Sequence, residues 1–218
     1  MAGARFPAYV DERGRVVFLD AAGGLIMHCM QRIQHCTNLQ QAIIAAFPNI
    51  VTQRNFATDV RSHVVVLQSR VALLARVLTL YKSVLSEDAV HLWNFCREIV
   101  PGCLADPSDQ SVDLVGEIDA LRNEAPAESF HRHGYLRAAF VRAAQDIHSG
   151  LHEDLAAMIC AAFPNVVTPS NFSEDLLLRV LENRSRLVTL RAALSHSNDA
   201  SEPAMALSAI CQFAADSG

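Results

Sequence analysis

Part of this chain occurs twice, and nothing else in the sequence constrains its fold as strongly. Leu39–Asp59 (LQQAIIAAFPNIVTQRNFATD) and Leu155–Asp175 (LAAMICAAFPNVVTPSNFSED) align without a gap at an offset of 116, with 12 identities in 21 positions. The shared positions include Ala45-Ala46-Phe47-Pro48-Asn49 against Ala161-Ala162-Phe163-Pro164-Asn165, and Asn55-Phe56 against Asn171-Phe172. Beyond this block Ser69-Arg70-Val71 faces Ser185-Arg186-Leu187, and Leu74 and Leu78 face Leu190 and Leu194. One residue is then lost in a loop, and at an offset of 115 Ala89, Leu92 and Cys96 fall on Ala204, Leu207 and Cys211. The likeness fades upstream, where the apolar positions of 25–33 only roughly face those of 136–147. A repeat of this period means one supersecondary unit used twice. The expected unit spans about 20–103 and about 135–218.

Each copy reads as a string of helices. Ile26, Met30 and Ile33 give one apolar stripe, and Leu39, Ile43, Ala46 and Phe47 give the next. Pro48-Asn49 should end that second helix, because proline disfavours helix in the residue before it and supplies no donor. Thr52 is the expected N-cap of a short helix running to Val60, with Thr168 and Pro169 repeating that start. Val64, Leu67, Val71, Leu74, Leu78 and Tyr81, spaced 3-4-3-4-3, predict one long helix. Ser86, followed by Glu87 and Asp88, opens another, since negative charge in a first turn suits the helix dipole. Val112, Val115, Ile118 and Leu121 predict a sixth helix closing the first copy. The one strand signal is a small hairpin, Ala8-Tyr9-Val10 and Val16-Val17-Phe18 around Asp11–Gly14. The expected architecture is all-α: two tandem five-to-six-helix bundles from an internal duplication, preceded by a short hairpin or extended segment. The boundaries read as an N-terminal extension 1–19, unit 1 at 20–123, a linker 124–134 and unit 2 at 135–218.

Composition narrows the function. Hydrophobic residues make up 51% and charged residues 19%, which is apolar enough for packed cores. A formal net charge of -5 argues against a general nucleic-acid binder. No apolar run of signal-peptide or membrane-spanning length is present, since Arg70 and Arg76 interrupt the longest candidate. Six scattered cysteines in apolar surroundings read as reduced, buried thiols, so the expected location is the cytoplasm or the nucleus.

No catalytic signature emerges. His28, Cys29, His35 and Cys36 are zinc-ligand types, but i, i+7 spacing sets each pair two turns apart, about 10 Å along a helix, too far for one ion. No cysteine lies in a recognisable nucleophile signature, and no glycine-rich phosphate loop exists. The expectation is a non-enzymatic protein with no metal and no cofactor.

The order of features resembles the death-fold superfamily, and within it a caspase-recruitment domain. The residues that carry the likeness are AIIAAFPNIVTQRNF and AMICAAFPNVVTPSNF, then SRVALLARVL and SRLVTLRAAL on the long helix, then AVHLWNFCREI and AMALSAICQF on the last. The likeness covers both copies, roughly three quarters of the chain. Death-effector domains are less similar, because their Arg-x-Asp-Leu-Leu string is missing. Proline stands where the family usually has glycine after the second helix. The resemblance implies a protein–protein interaction module that modulates apoptotic or innate immune signalling through homotypic contacts, with death-fold adaptors or a second copy as partner. It implies a basic face at Arg70, Arg76, Arg186 and Arg191, and an acidic face at Asp59, Glu174 and Asp175. Trp93 joins the candidates on other grounds: the second copy has Ser208 in its place, so the copies do not bury the same surface. Two other readings stand beside this one, a structural or scaffolding helical protein such as a virion-associated component, and a Bcl-2-like bundle binding amphipathic helices.

Overall fold

The computed structural model describes residues 8–19, 22–81, 84–101, 126–197 and 199–216. These are predominantly helical and divide into two compact units. Among the described residues, unit 1 holds 8–101 and 130–138, and unit 2 holds 126–129 and 139–216.

Unit 1 begins with the hairpin at the expected residues: β1 (Ala8–Val10) pairs antiparallel with β2 (Val16–Phe18), Tyr9 opposite Val17. Its loop is fixed by Asp11, whose carboxylate accepts from the Arg13 and Arg15 amides at 2.9 and 2.8 Å, while Gly14 takes the left-handed conformation, φ 71°. A free two-stranded hairpin would be marginal in water. This one is docked. The Val16 amide donates to Val66 O and the Gln68 amide to Gly14 O, both at 2.9 Å, and Phe18 stacks on Phe95. The segment expected as a separate extension over 1–19 is therefore, from residue 8 onward, part of unit 1.

The helices of unit 1 are α1 (Ala22–Ile33), α2 (Thr37–Ala46), α3 (Phe56–Asp59), α4 (Gln68–Leu80) and α5 (Glu87–Ile99). α5 packs on α1 and α4, α2 packs on α4, and α1 packs on α3. Phe47, Phe56, Tyr81 and Phe95 lie fully buried at their junctions. Removing such a side chain from water contributes about 1.5–3 kcal/mol. Ser86 caps α5 as expected, its Oγ accepting from the Ala89 amide at 3.4 Å.

The long helix expected over Val64–Tyr81 is broken. α3 runs into a π-helical turn, Val60–Val64, and α4 starts only at Gln68, with Leu67 extended (φ -125°, ψ 126°). Val64 and Leu67 keep their place in the apolar stripe, but the backbone between them bonds to the hairpin. Burial decided the spacing, and a partner distant in sequence decided the backbone.

α6 (Pro126–Asp146) covers 21 residues. It replaces the expected linker: 126–134 is helical, and the helix is shared, with 130–138 in unit 1 and the residues on either side in unit 2. The portion in unit 1 packs closely. A Cβ on Gly134 would stand 2.5 Å from Ala46 O, so only glycine admits this approach of two backbones. The Arg137 Nε donates to Ala45 O at 3.2 Å, and the Arg76 guanidinium lies 4.2 Å from the Tyr135 ring centre. The sixth helix expected at Val112–Leu121 lies outside the described residues.

Unit 2 continues from α6 through a π-helical turn, Ile147–Leu151, to α7 (Glu153–Ala162). A 3-10 turn (Pro169–Asn171) leads into α8 (Phe172–Asp175), a second π-helical segment (Leu176–Leu181), α9 (Arg184–His196) and α10 (Glu202–Asp216). α9 packs on α10 and on α7.

Candidate functional site

The Phe-Pro-Asn block folds the same way at both positions. Asn49 and Asn165 have φ of 64° and 62°, left-handed values that asparagine tolerates better than other side-chain-bearing residues. The carbonyls of Phe47 and Phe163 each accept two amides, three and four residues on. Thr52 then gives its amide and its hydroxyl to one oxygen of Asp59, at 2.9 and 2.7 Å. Thr168 does the same to Asp175, at 2.9 and 2.8 Å. The threonines were expected as plain N-caps. Thr52 does accept from the Asn55 amide at 3.3 Å, but its hydroxyl proton goes to the aspartate.

The remaining candidates are largely engaged inside their own units. Arg70 donates to His63 O at 2.6 Å, and Arg186 makes the equivalent bond to Arg179 O at 2.7 Å. Each guanidinium closes the end of a π-helical segment, where carbonyls lack intrahelical partners. Asp175 is buried and also meets Arg179 at 3.3 Å. Asp59 is more open, and its bonds from Thr52 hold its carboxyl below the usual value. Arg76 is stacked on Tyr135. Arg191 is half-buried on α9, and Glu174 alone of the eight candidates is exposed. Trp93 is 8% exposed; its indole N–H donates to Thr79 Oγ1 at 3.1 Å, and the Arg97 guanidinium covers its ring at 4.7 Å.

Thiol chemistry is disfavoured where the cysteines are deepest. Burial pushes the Cys96 thiol far above its ordinary value and the Cys211 thiol up to about 12, so thiolate is scarce at neutral pH. Among the described residues, no three His, Cys, Asp or Glu side chains converge on a metal-sized site, no cysteine is in a disulfide, and no helix is long and apolar enough to cross a membrane.

Large apolar side chains stay exposed on both units: Tyr9, Leu19, Leu25, Val84 and Val90 on unit 1, and three on unit 2. Leu178, Val188 and Met205 are 51%, 58% and 52% exposed. Met205 borders an open cleft of about 290 Å³ between α9 and α10, with Ser195, Ser208, Ala209 and Gln212 along it. The sequence signal for this cleft was the exchange of Trp93 for Ser208. It was legible as a difference between copies, though not as a cavity.

Comparison with known proteins gives no match: no family model, no curated protein and no solved structure is significantly similar to this chain. The fold and surface define an all-α protein of two compact units.

Proposed function

We propose that the chain is a non-enzymatic interaction module, made by duplication of one helical bundle, that modulates apoptotic or innate immune signalling through contacts between helical domains of the death-fold kind. The duplication is supported by what recurs at the two positions: the left-handed asparagine, the Thr–Asp pair, the π-helical turn and the arginine closing it. One observation carries the interaction reading: large apolar side chains stay exposed on both units, Val84 at 60% and Val188 at 58% the most open, while most of the candidate charges are used internally. Of these residues Met205 also borders the cleft between α9 and α10, and contiguous exposed apolar surface is a common mark of a protein-binding site. The contact surface is thus better sought among these apolar side chains, Val84, Val188 and Met205 included, than at Arg70 or Arg186. Unpaired cysteines among the described residues suit a partner in the cytoplasm or nucleus.

The test is co-purification of the full chain with purified caspase-recruitment and death-effector adaptor domains. Binding that Val188→Asp reduces tenfold or more, with helicity unchanged, supports the proposal. Failure to bind any such domain overturns its signalling part. The scaffolding reading draws on the same exposed residues, and concentration-dependent oligomers in sedimentation, dispersed by Val188→Asp, would favour it instead.

A further inference from the structure

The open cleft of unit 2 occupies the place that Trp93 fills in unit 1. The correspondence runs residue by residue along the repeat. Thr79 becomes Ser195 at the 116 offset, while Val90, Trp93, Asn94 and Arg97 become Met205, Ser208, Ala209 and Gln212 at the 115 offset. In unit 1 the Thr79 hydroxyl donates to Ala75 O at 2.8 Å, which turns its acceptor lone pairs toward the indole N–H at 3.1 Å. In unit 2 the Ser195 hydroxyl likewise donates to Arg191 O, at 2.9 Å, but it is exposed where Thr79 is half-buried, and among the described residues no donor meets it. The indole is gone, Arg97's covering cation is replaced by a neutral glutamine, and Met205 stands 52% exposed on the rim.

Charge adds a second constraint. The cleft is bordered by no lysine or arginine and by the Asp199 carboxylate, which accepts from the Ser201 amide at 2.8 Å and faces His152 Nδ1 at 3.3 Å. An adjoining cleft shares Asp199 and adds Glu153 and Asp154, with His152 as its single basic group. At about 290 Å³ the space is at the small end for ligand clefts, roughly 300–1,000 Å³, and suits one large side chain.

We propose that the α9–α10 cleft is a docking site for a tryptophan side chain of a partner polypeptide, with an arginine or lysine beside it. The indole lies along Met205 and Ala209 and donates its N–H to Ser195 Oγ, as Trp93 does to Thr79. The neighbouring cation meets the exposed carboxylates of the rim, Glu153 and Asp154. Aromatic anchors filling a desolvated pocket dominate many interfaces, and complementary charge selects among them. This inference rests on the interaction reading above and gives it a partner chemistry.

The experiment titrates acetyl-Trp-Arg-amide into the isotopically labelled full chain and follows backbone amides by NMR, with acetyl-Ala-Arg-amide as control. Saturable shifts at Ser195, Met205, Ser208 and Gln212 are expected, with the alanine control at least tenfold weaker. Ser208→Trp should refill the cleft from within, abolish those shifts and raise Tm. Should that variant misfold, Ser195→Ala serves: it should weaken the tryptophan peptide several-fold and leave a naphthylalanine analogue, which has no N–H, unchanged. Absence of shifts at these amides, equal binding of the alanine control, or the same response of both analogues to Ser195→Ala overturns the proposal. So does a self-associated dimer that Ser208→Trp disperses, because the occupant is then a second copy. Loss of adaptor binding with peptide binding intact would refute the signalling role alone, and the reverse would refute the cleft alone.

Discussion

Replacing Gly134 by alanine sets two effects of known sign against each other. Alanine is favoured over glycine inside a helix by about 0.8–1.0 kcal/mol. At Gly134, however, the new Cβ would sit 2.5 Å from Ala46 O and 2.9 Å from Leu73 Cδ2. Ordinary contact begins at 3.4 Å, so the shortfall against the carbonyl is 3.4 − 2.5 = 0.9 Å. Leu73 can turn aside in part, but the carbonyl belongs to the backbone end of α2 and moves only with the helix. Forcing an extra methyl into a packed site costs roughly 1–3 kcal/mol. The net expectation is a loss of about 0–2 kcal/mol. Gly24, on α1 of the same unit, has nothing within 4 Å of its would-be Cβ and should gain up to about 1 kcal/mol from the same substitution. The difference between the two variants removes the propensity and isolates the steric cost, about 1–3 kcal/mol. Urea denaturation with helicity as signal would read it as opposite displacements of the unit 1 midpoint. Equal stabilisation by both substitutions would refute the packing of Gly134 against α2.

Three further outcomes follow from the hydrogen bonds and burial. Asp175→Asn should destabilise unit 2 by about 1–3 kcal/mol in thermal melts, because it weakens a buried acceptor of two Thr168 donors; Asp59→Asn, in a more exposed place, should cost less. The Asp59 carboxyl is held below its ordinary value of 3.8 by the Thr52 hydroxyl and amide, so its stabilising effect is fully present above that pH and is lost as pH falls through the lower folded value; Asp59→Asn should flatten the acid limb of Tm against pH below about 5. With a thiol reagent at neutral pH, exposed Cys36 should react first, while Cys96 and Cys211 wait for unfolding.

Much of the fold was legible because it rests on local rules. The hairpin followed from two short apolar runs about Asp11–Gly14, the end of α2 from proline, and the start of α5 from a serine ahead of two acids. The failures share one physical cause. Apolar spacing reports which residues are buried but says nothing of where the backbone finds partners, so one stripe across 64–81 concealed a π-helical turn and a break held open by hairpin bonds. Leu67 and Asn183 differ for that reason. The Asn183 side chain accepts from the Arg186 amide at 3.2 Å, whereas at the start of α4 the Gly14 carbonyl of the hairpin takes the Gln68 amide. Arg70 and Arg186 show another limit of the sequence. An arginine repeated on a helix suggests a face for a partner, but a guanidinium reaches seven residues back as readily as outward, as both do in the fold.

The division of α6 between the units sets a limit on where this protein can be cut. A chain ended before residue 130 keeps every helix of the first repeat and still lacks Gly134, Tyr135 and Arg137, which pack against or bond to α2 and α4. During synthesis the first unit stays an incomplete shell, with part of its apolar interior wet, until about forty more residues have left the ribosome after α5 ends at Ile99. The repeat in the sequence and the unit that folds are therefore not the same stretch of chain.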